Sequence, residues 1–281
     1  MEITRQMVDA FAAVHPEYNL NVEVLELGID QCDKVLMNDP DAGADVFQLP
    51  SGGIPAMIEE GLILPITVDV DAVKALYGEG ALASCIAYNE ALGMDLLYAI
   101  PFSPNTWFIY YNTDMFTAEE VKSLDTMLTK GVVAFPWGIG WYGGTFFFAN
   151  GGTMFGDGTD GSKGITFGGE AGAAVTAYIA DAIASGKLID DANGAGLDGF
   201  RKGEVVALFS GTWDAGAVAE ALGENYAAAP LPSITINGEQ KQMKSFSGSK
   251  ALGVNPNSKN PAAAVALAAF LGSAEMQALH F

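Results

Sequence analysis

The chain has 281 residues, half of them apolar and 17% charged, with 13 Lys+Arg against 34 Asp+Glu for a formal net charge of −21. Length and apolar content point to a folded protein of about two domains with a sizeable core and exclude a disordered chain. The acidity excludes nucleic acid, whose recognition rests on neutralising phosphates with Lys and Arg, and disfavours an anionic membrane surface.

In chain order, residues 3–14 place Met7, Phe11 and Val14 on one helical stripe, stopped by His15-Pro16. NLNVEVLEL at 19–27 alternates apolar and polar residues and predicts a half-buried strand. A helix over 32–37, the DPDAGAD loop, a short apolar run at 46–49 and a helix over 53–60 follow. That αβαβα order predicts an open sheet with helices on its faces. LLYAIPFS (96–103) and TWFIYYN (106–112) predict two strands, with Pro101 and Pro104 setting the turn between them. Residues 131–161 are rich in glycine and aromatics, and a helix is expected at about 170–184. In FRKGEVVALFSGTW at 200–213 an apolar strand ends in a glycine-containing turn carrying Trp213. Asn237-Gly238 predicts a hairpin, and Asn260-Pro261 opens a last, Ala-rich helix.

Few residues suggest chemistry. HExxH, GxSxG and P-loop patterns are absent, and neither His15 nor His280 lies near a candidate nucleophile. Nothing singles out a carboxylate pair, so no enzymatic activity and no cofactor are expected. Cys32 and Cys85 have no metal-binding spacing, which predicts no metal site; they form one disulfide or none. GDGTDG at 156–161 lacks the bidentate Glu of a calcium loop and reads as a surface turn. No apolar run reaches the roughly 20 residues of a membrane span. The opening MEITRQ leads into no apolar stretch of a secretion signal.

The aromatics carry more. Trp137, Trp141 and Tyr142 fall within six residues among glycines, which deny the rings a regular element to pack along. An indole face is a flat apolar platform with a polar edge, suited to the C–H face of a sugar ring. Trp141 and Trp213, both beside turn residues, are expected to face a ligand, whereas residues 146–148 (FFF) are expected in the core.

Several short signals recur in order along the chain. They are Ala44-Asp45-Val46-Phe47, GLILPI at 61–66, IPFSPNTWFIYYNTDMF at 100–116 and ANGGTMF at 149–155. Phe200, Gly203, Ala207, Gly211 and Trp213, then AAAPLP at 227–232 and NSKNPAAAVALAAFLGSAEMQ at 257–277, complete the series. With these the chain resembles the carbohydrate-binding solute-binding proteins of bacterial ABC importers, of the maltose/maltodextrin-binding kind. The resemblance implies a two-lobed α/β periplasmic-binding-protein-like fold with a ligand cleft between the lobes. One lobe would be 1–110 with 246–281, the other 111–245.

The implied ligand is an oligosaccharide, an α-glucan of the maltodextrin type, passed to an ABC transporter membrane permease. The protein would be a monomer, extracellular, cell-surface-anchored or periplasmic. Implied site residues are Trp141, Tyr142 and Trp213 from the second lobe and Ser51, Gly52 and Asn105 from the first. The first-lobe loop departs from the family: Leu49-Pro50-Ser51-Gly52 stands where maltose binders carry an aromatic and charged residues, and Asn105 replaces a carboxylate. A polyamine or metal chelate on the same fold, or a glycan-acting enzyme, are the alternative readings. Hinges are expected at 110–113 and 245–248. Relative to the family the chain apparently lacks the usual first strand, between the segments 22–27 and 46–49, and the C-terminal helices, so it is expected to be a fragment of a longer chain.

Overall fold

The structure is a computed structural model and describes residues 2–29, 31–156, 161–246 and 248–280, less the side chains of Pro104 and Asn105. Most of the 156–161 turn therefore lies outside the described residues. The first elements are α1 (Glu2–Val14), α2 (Cys32–Asn38), β1 (Val46–Pro50), α3 (Ile54–Glu59), α4 (Val70–Leu76) and α5 (Glu79–Ala83). Then come β2 (Ile86–Asn89), β3 (Met94–Leu97), β4 (Ile100–Asn105), β5 (Phe108–Asn112), α6 (Leu124–Lys130), β6 (Val132–Phe135) and α7 (Gly140–Ala149). After α8 (Gly169–Ala184) follow β7 (Leu188–Asp190), α9 (Ala195–Lys202), β8 (Val205–Ser210), α10 (Ala215–Leu222) and β9 (Tyr226–Ala229). The chain closes with β10 (Ser233–Ile236), β11 (Glu239–Gln242), β12 (Gly248–Val254), α11 (Pro261–Leu271) and α12 (Ala274–His280). They form two compact units, Met1–Asn105 with Ser247–Phe281, and Thr106–Phe246.

The first unit is built on a three-stranded antiparallel sheet in the order β1-β12-β4, so a strand from the far end of the chain sits at its centre. Its core gathers Leu49, Met57, Ile100, Leu252, Val254 and Ala268. The apolar stripe of α1 holds at Met7 and Phe11, both fully buried, with Phe11 packed 5.3 Å from Phe270 of α11, but Val14 at the helix end is 59% exposed. Pro261 occupies the first turn of α11, although the Asn260 side chain makes no capping bond. Among the described residues, no single helix is long and apolar enough to cross a membrane. Cys85 is a buried thiol whose pKa burial pushes up to about 11, and no disulfide joins it to Cys32.

Two strand expectations are corrected here. Residues 19–27 form no strand: Leu20, Val22 and Val24 are half-buried, but Leu25 is 66% exposed and the segment joins no sheet. Alternation sorts side chains to two faces, yet a strand also needs a ladder, and β1 pairs with β12 alone. Segments 22–27 and 46–49 thus do not pair with each other. Pro101 and Pro104 make no turn either; both lie inside β4, opposite Ala251 and Ser249. They are tolerated because β4 is an edge strand, and the register shifts beside Pro101 at Lys250/Ala251.

The second unit carries a five-stranded sheet in the order β7-β6-β8-β5-β9. Strands β7, β6 and β8 run parallel, while β5 is antiparallel to both β8 and β9. All six residues of β8 are buried, as a strand covered on both faces requires. Along β5, Ile109 and Tyr111 join the core of one face and Tyr110 that of the other. Strand β5 is paired on both edges, by β8 and β9, and the two compact units divide at Asn105/Thr106.

Strands β10 and β11 form the expected hairpin, with Asn237 at φ 53° and Gly238 at φ 80°, both left-handed as a type I′ turn requires. No atom would meet a Cβ at Gly238. Gly238→Ala should therefore cost only the left-handed backbone penalty, about 1–2 kcal/mol, read as a lower urea midpoint.

Candidate functional site

The parallel strands of the second unit end together, and the loops leaving them are tied to one another. Beyond β6 the Trp137 N–H donates to Asp190 Oδ1 at 3.1 Å, at the end of β7. The next N–H on that loop, from Asp191, donates to the Phe135 carbonyl at 3.0 Å. Asp191 Oδ1 in turn accepts the Gly196 N–H at 2.6 Å, anchoring the start of α9. Beyond β8 the chain makes one 3-10 turn, Thr212–Asp214, before α10, and Ser210 Oγ donates to Asp214 Oδ2 across it at 2.5 Å. The carboxyl ends of parallel strands are where α/β folds bind ligands.

Trp141 and Trp213 meet at this end. Their ring centroids lie 6.2 Å apart with 35° between planes; Trp141 is half-buried and Trp213 is 45% exposed. The glycine two residues before Trp213 explains its placement. A Cβ on Gly211 would stand 2.2 Å from two atoms of the indole, so the ring lies directly over that Cα. The Gly211 backbone seats the benzo end of the ring, and the ring stays outside the core clusters.

The neighbouring aromatics depart from expectation. The glycines at 143 and 144 do not prevent a helix: α7 runs through Trp141, Tyr142 and residues 146–148. Burial of its aromatics outweighs the weak glycine propensity, about 1 kcal/mol per residue. Tyr142 packs within the aromatic core of the second unit. It is 5% exposed and packs 4.7 Å from Trp107, and burial, helped by the charges of Asp214 and Asp191, pushes its hydroxyl up to about 12. Phe146 is fully buried, as expected, and stacks 5.2 Å from Trp137.

The first-unit candidates fare unevenly. Ser51 is 6% exposed, and its Oγ accepts the Ser249 N–H at 3.1 Å, joining the turn after β1 to β12. Its oxygen thus ties the turn after β1 to β12, while its O–H keeps its own capacity to donate. Ser51→Ala should lower stability by about 1 kcal/mol, measured by urea unfolding. Gly52 is exposed, with open space around its Cα. Asn105 pairs with Gly248 at the end of β4, and its side chain lies outside the described residues.

Sequence reading missed the carboxylates of this site. Asp191 lies within electrostatic reach of Asp190 and Asp214, and the signal was available in Asp190-Asp191 at the end of a strand and in Asp214 directly after Trp213. Burial raises the pKa of Asp191; the Gly196 N–H works against that, and the charges of Asp214 and Asp190 add to it. A carboxyl raised in the folded state binds its proton more tightly there than in the unfolded chain. Its contribution to stability is therefore lost as pH rises from the ordinary carboxylate value through the raised one. Asp191→Asn keeps an acceptor for Gly196 and should remove that part of the decline, seen by comparing melting temperatures of the two proteins across this window.

Two indole faces beside carboxylate acceptors can stack a sugar ring and take its hydroxyls. The chain is 29% identical over 286 residues to the galactooligosaccharide-binding protein of Bacillus subtilis (strain 168), covering 94% of this chain and 65% of that protein. It thus spans about two thirds of the length of that relative. A structure solved with acarbose is 42% identical and superposes with a TM-score of 0.93, over 99% of this chain and 72% of the other. The maltodextrin binding protein MalE1 from L. casei BL23, solved without ligand, is 27% identical with a TM-score of 0.83, over 98% and 72% of the two chains. The family model of bacterial extracellular solute-binding proteins matches residues 6–281, and the chain belongs to that family.

Proposed function

We propose that this protein captures an oligosaccharide, an α-glucan fragment of the maltodextrin type, and presents it to the membrane permease of an ABC importer, without chemistry of its own. The observation that carries the reading is the Trp141–Trp213 pair at the carboxyl ends of β6 and β8. The indoles supply apolar floors for sugar rings, while Asp190, Asp191 and Asp214 supply hydroxyl acceptors. Relatives named for maltodextrin and acarbose support the α-glucan class. The setting is extracellular, on the cell surface or in the periplasm, in keeping with the family.

The Bacillus relative, named for galactooligosaccharides, supports a second ligand class on the same platform. Titration calorimetry with maltotriose, maltotetraose and a galactooligosaccharide mixture separates the two. Saturable heat from the maltooligosaccharides with no release of reducing ends is the expected result. Heat from the galactosides alone replaces the ligand class. Absence of heat from all three, or steady release of reducing sugar, overturns the reading.

A further inference from the structure

Trp213 presents a problem of order. Almost half of its surface is exposed, so packing alone does not hold the ring, yet a stacking platform needs one angle. The ring's seat is Gly211, the first residue beyond β8, so the tilt of the Gly211 peptide sets the tilt of the indole. That peptide carries two hydrogen bonds on one oxygen. The Asp214 N–H donates to the Gly211 carbonyl at 3.2 Å, closing the 3-10 turn locally. The second donor comes from another strand: Tyr110 Oη donates to the same carbonyl at 3.0 Å, in a buried bond.

A local turn bond closes a ring of atoms but leaves that ring able to rock on the end of β8. A bond from β5 ties the peptide to the sheet itself. Tyr110 is a rigid anchor for this purpose. It is 3% exposed, its backbone is paired opposite Leu208 on one side and Ala228 on the other, and its ring packs 5.0 Å from Phe108. Burial and the charge of Asp214 raise its pKa, which keeps the hydroxyl protonated as a donor.

We propose that Tyr110 is a positioning residue that, acting through the Gly211 carbonyl, fixes the angle at which Trp213 offers its face to ligand. Its effect on affinity rests on the function proposed above; its effect on the indole pair does not.

The test is Tyr110→Phe in the full 281-residue chain. Phenylalanine keeps the ring and its packing, and the carbonyl retains the Asp214 N–H, so the fold is expected to survive with a nearly unchanged urea midpoint. Two indoles this close couple excitonically, and the far-ultraviolet circular dichroism couplet lost in Trp213→Phe reports their mutual angle. Tyr110→Phe should diminish that couplet and weaken maltotriose binding about 3- to 10-fold, the scale of one neutral hydrogen bond. In a Trp213→Ala background it should cause no further loss of affinity.

An unchanged couplet overturns the proposal. So does a weakening of binding as large in the Trp213→Ala background as in the parent, since Tyr110 would then act elsewhere. Should the parent bind no oligosaccharide, the proposed function fails while the couplet still decides the role of Tyr110. Should Tyr110→Phe lower the urea midpoint markedly, couplet and affinity are read again at low temperature, where the folded fraction is restored, and the same outcomes decide.

Discussion

Trp213→Ala should weaken maltotriose binding at least about 30-fold, on the order of 2 kcal/mol, the scale of a central aromatic anchor. The same substitution should leave the urea midpoint nearly unchanged. The indole is 45% exposed, and its neighbours include the Gly211 backbone and Trp141, so little buried packing is removed. Trp141→Ala should weaken binding to a similar extent but cost more stability, because Trp141 is half-buried against the aromatic core and contacts Tyr142 at 5.3 Å. Calorimetry and urea unfolding on the same samples separate the two effects. Equal losses of folding and binding in Trp213→Ala would make it a core residue and remove the basis of the site.

Phe135→Ala should do the reverse and destabilise the second unit by about 3–5 kcal/mol, the range for a buried phenylalanine. Phe135 ends β6 fully buried, with the rings of Trp107, Trp137, Tyr142, Phe146 and Phe209 between 4.4 and 6.2 Å away. Five rings around one side chain cannot collapse together into the space it leaves, so the cavity term is expected at its large end. Unfolding followed by tryptophan fluorescence should show the loss as an earlier transition. The protein that remains folded should still bind sugar, because Phe135 touches neither Trp213 nor the acidic cluster by ring contact. A loss below about 1 kcal/mol would mean that α7 repacks, and that the aromatic core does not position Trp141.

Much of the architecture was legible in local pattern. The Met7–Phe11 stripe on α1, the I′ turn at Asn237-Gly238, the helix α8 and the proline opening α11 depend on contacts within a few residues, and these are found, while Val14 of the expected stripe is exposed. The exposure of Trp213 was legible as well, since the ring stands just beyond a buried strand and a glycine, and it is 45% exposed. The misses share one cause, a partner distant in sequence. Residues 19–27 have the alternation of a strand without a ladder to join, and Pro101 and Pro104 look like turn residues until β4 is seen to be an edge. Glycines argued against a helix at 140–149, but burial against Trp107 and Phe135 decided for one.

By itself, then, the sequence determined many of the local elements, the acidic and apolar balance, and the placing of two tryptophans beside turns, because each follows from residue type and near-neighbour spacing. The tertiary structure alone decided which of the candidate residues meet. Trp141 and Trp213 are 6.2 Å apart because β6 and β8 lie side by side in parallel and release their loops at the same end of the sheet. Ser51 and Tyr142 are buried, Ser51 receiving the Ser249 N–H and Tyr142 filling the aromatic core. Asp190 and Asp191 join Asp214 from another strand end, and Tyr110 reaches Gly211 from a strand 101 residues earlier in the chain. Spacing along the chain carries no record of such proximity, because it is set by strand order and register.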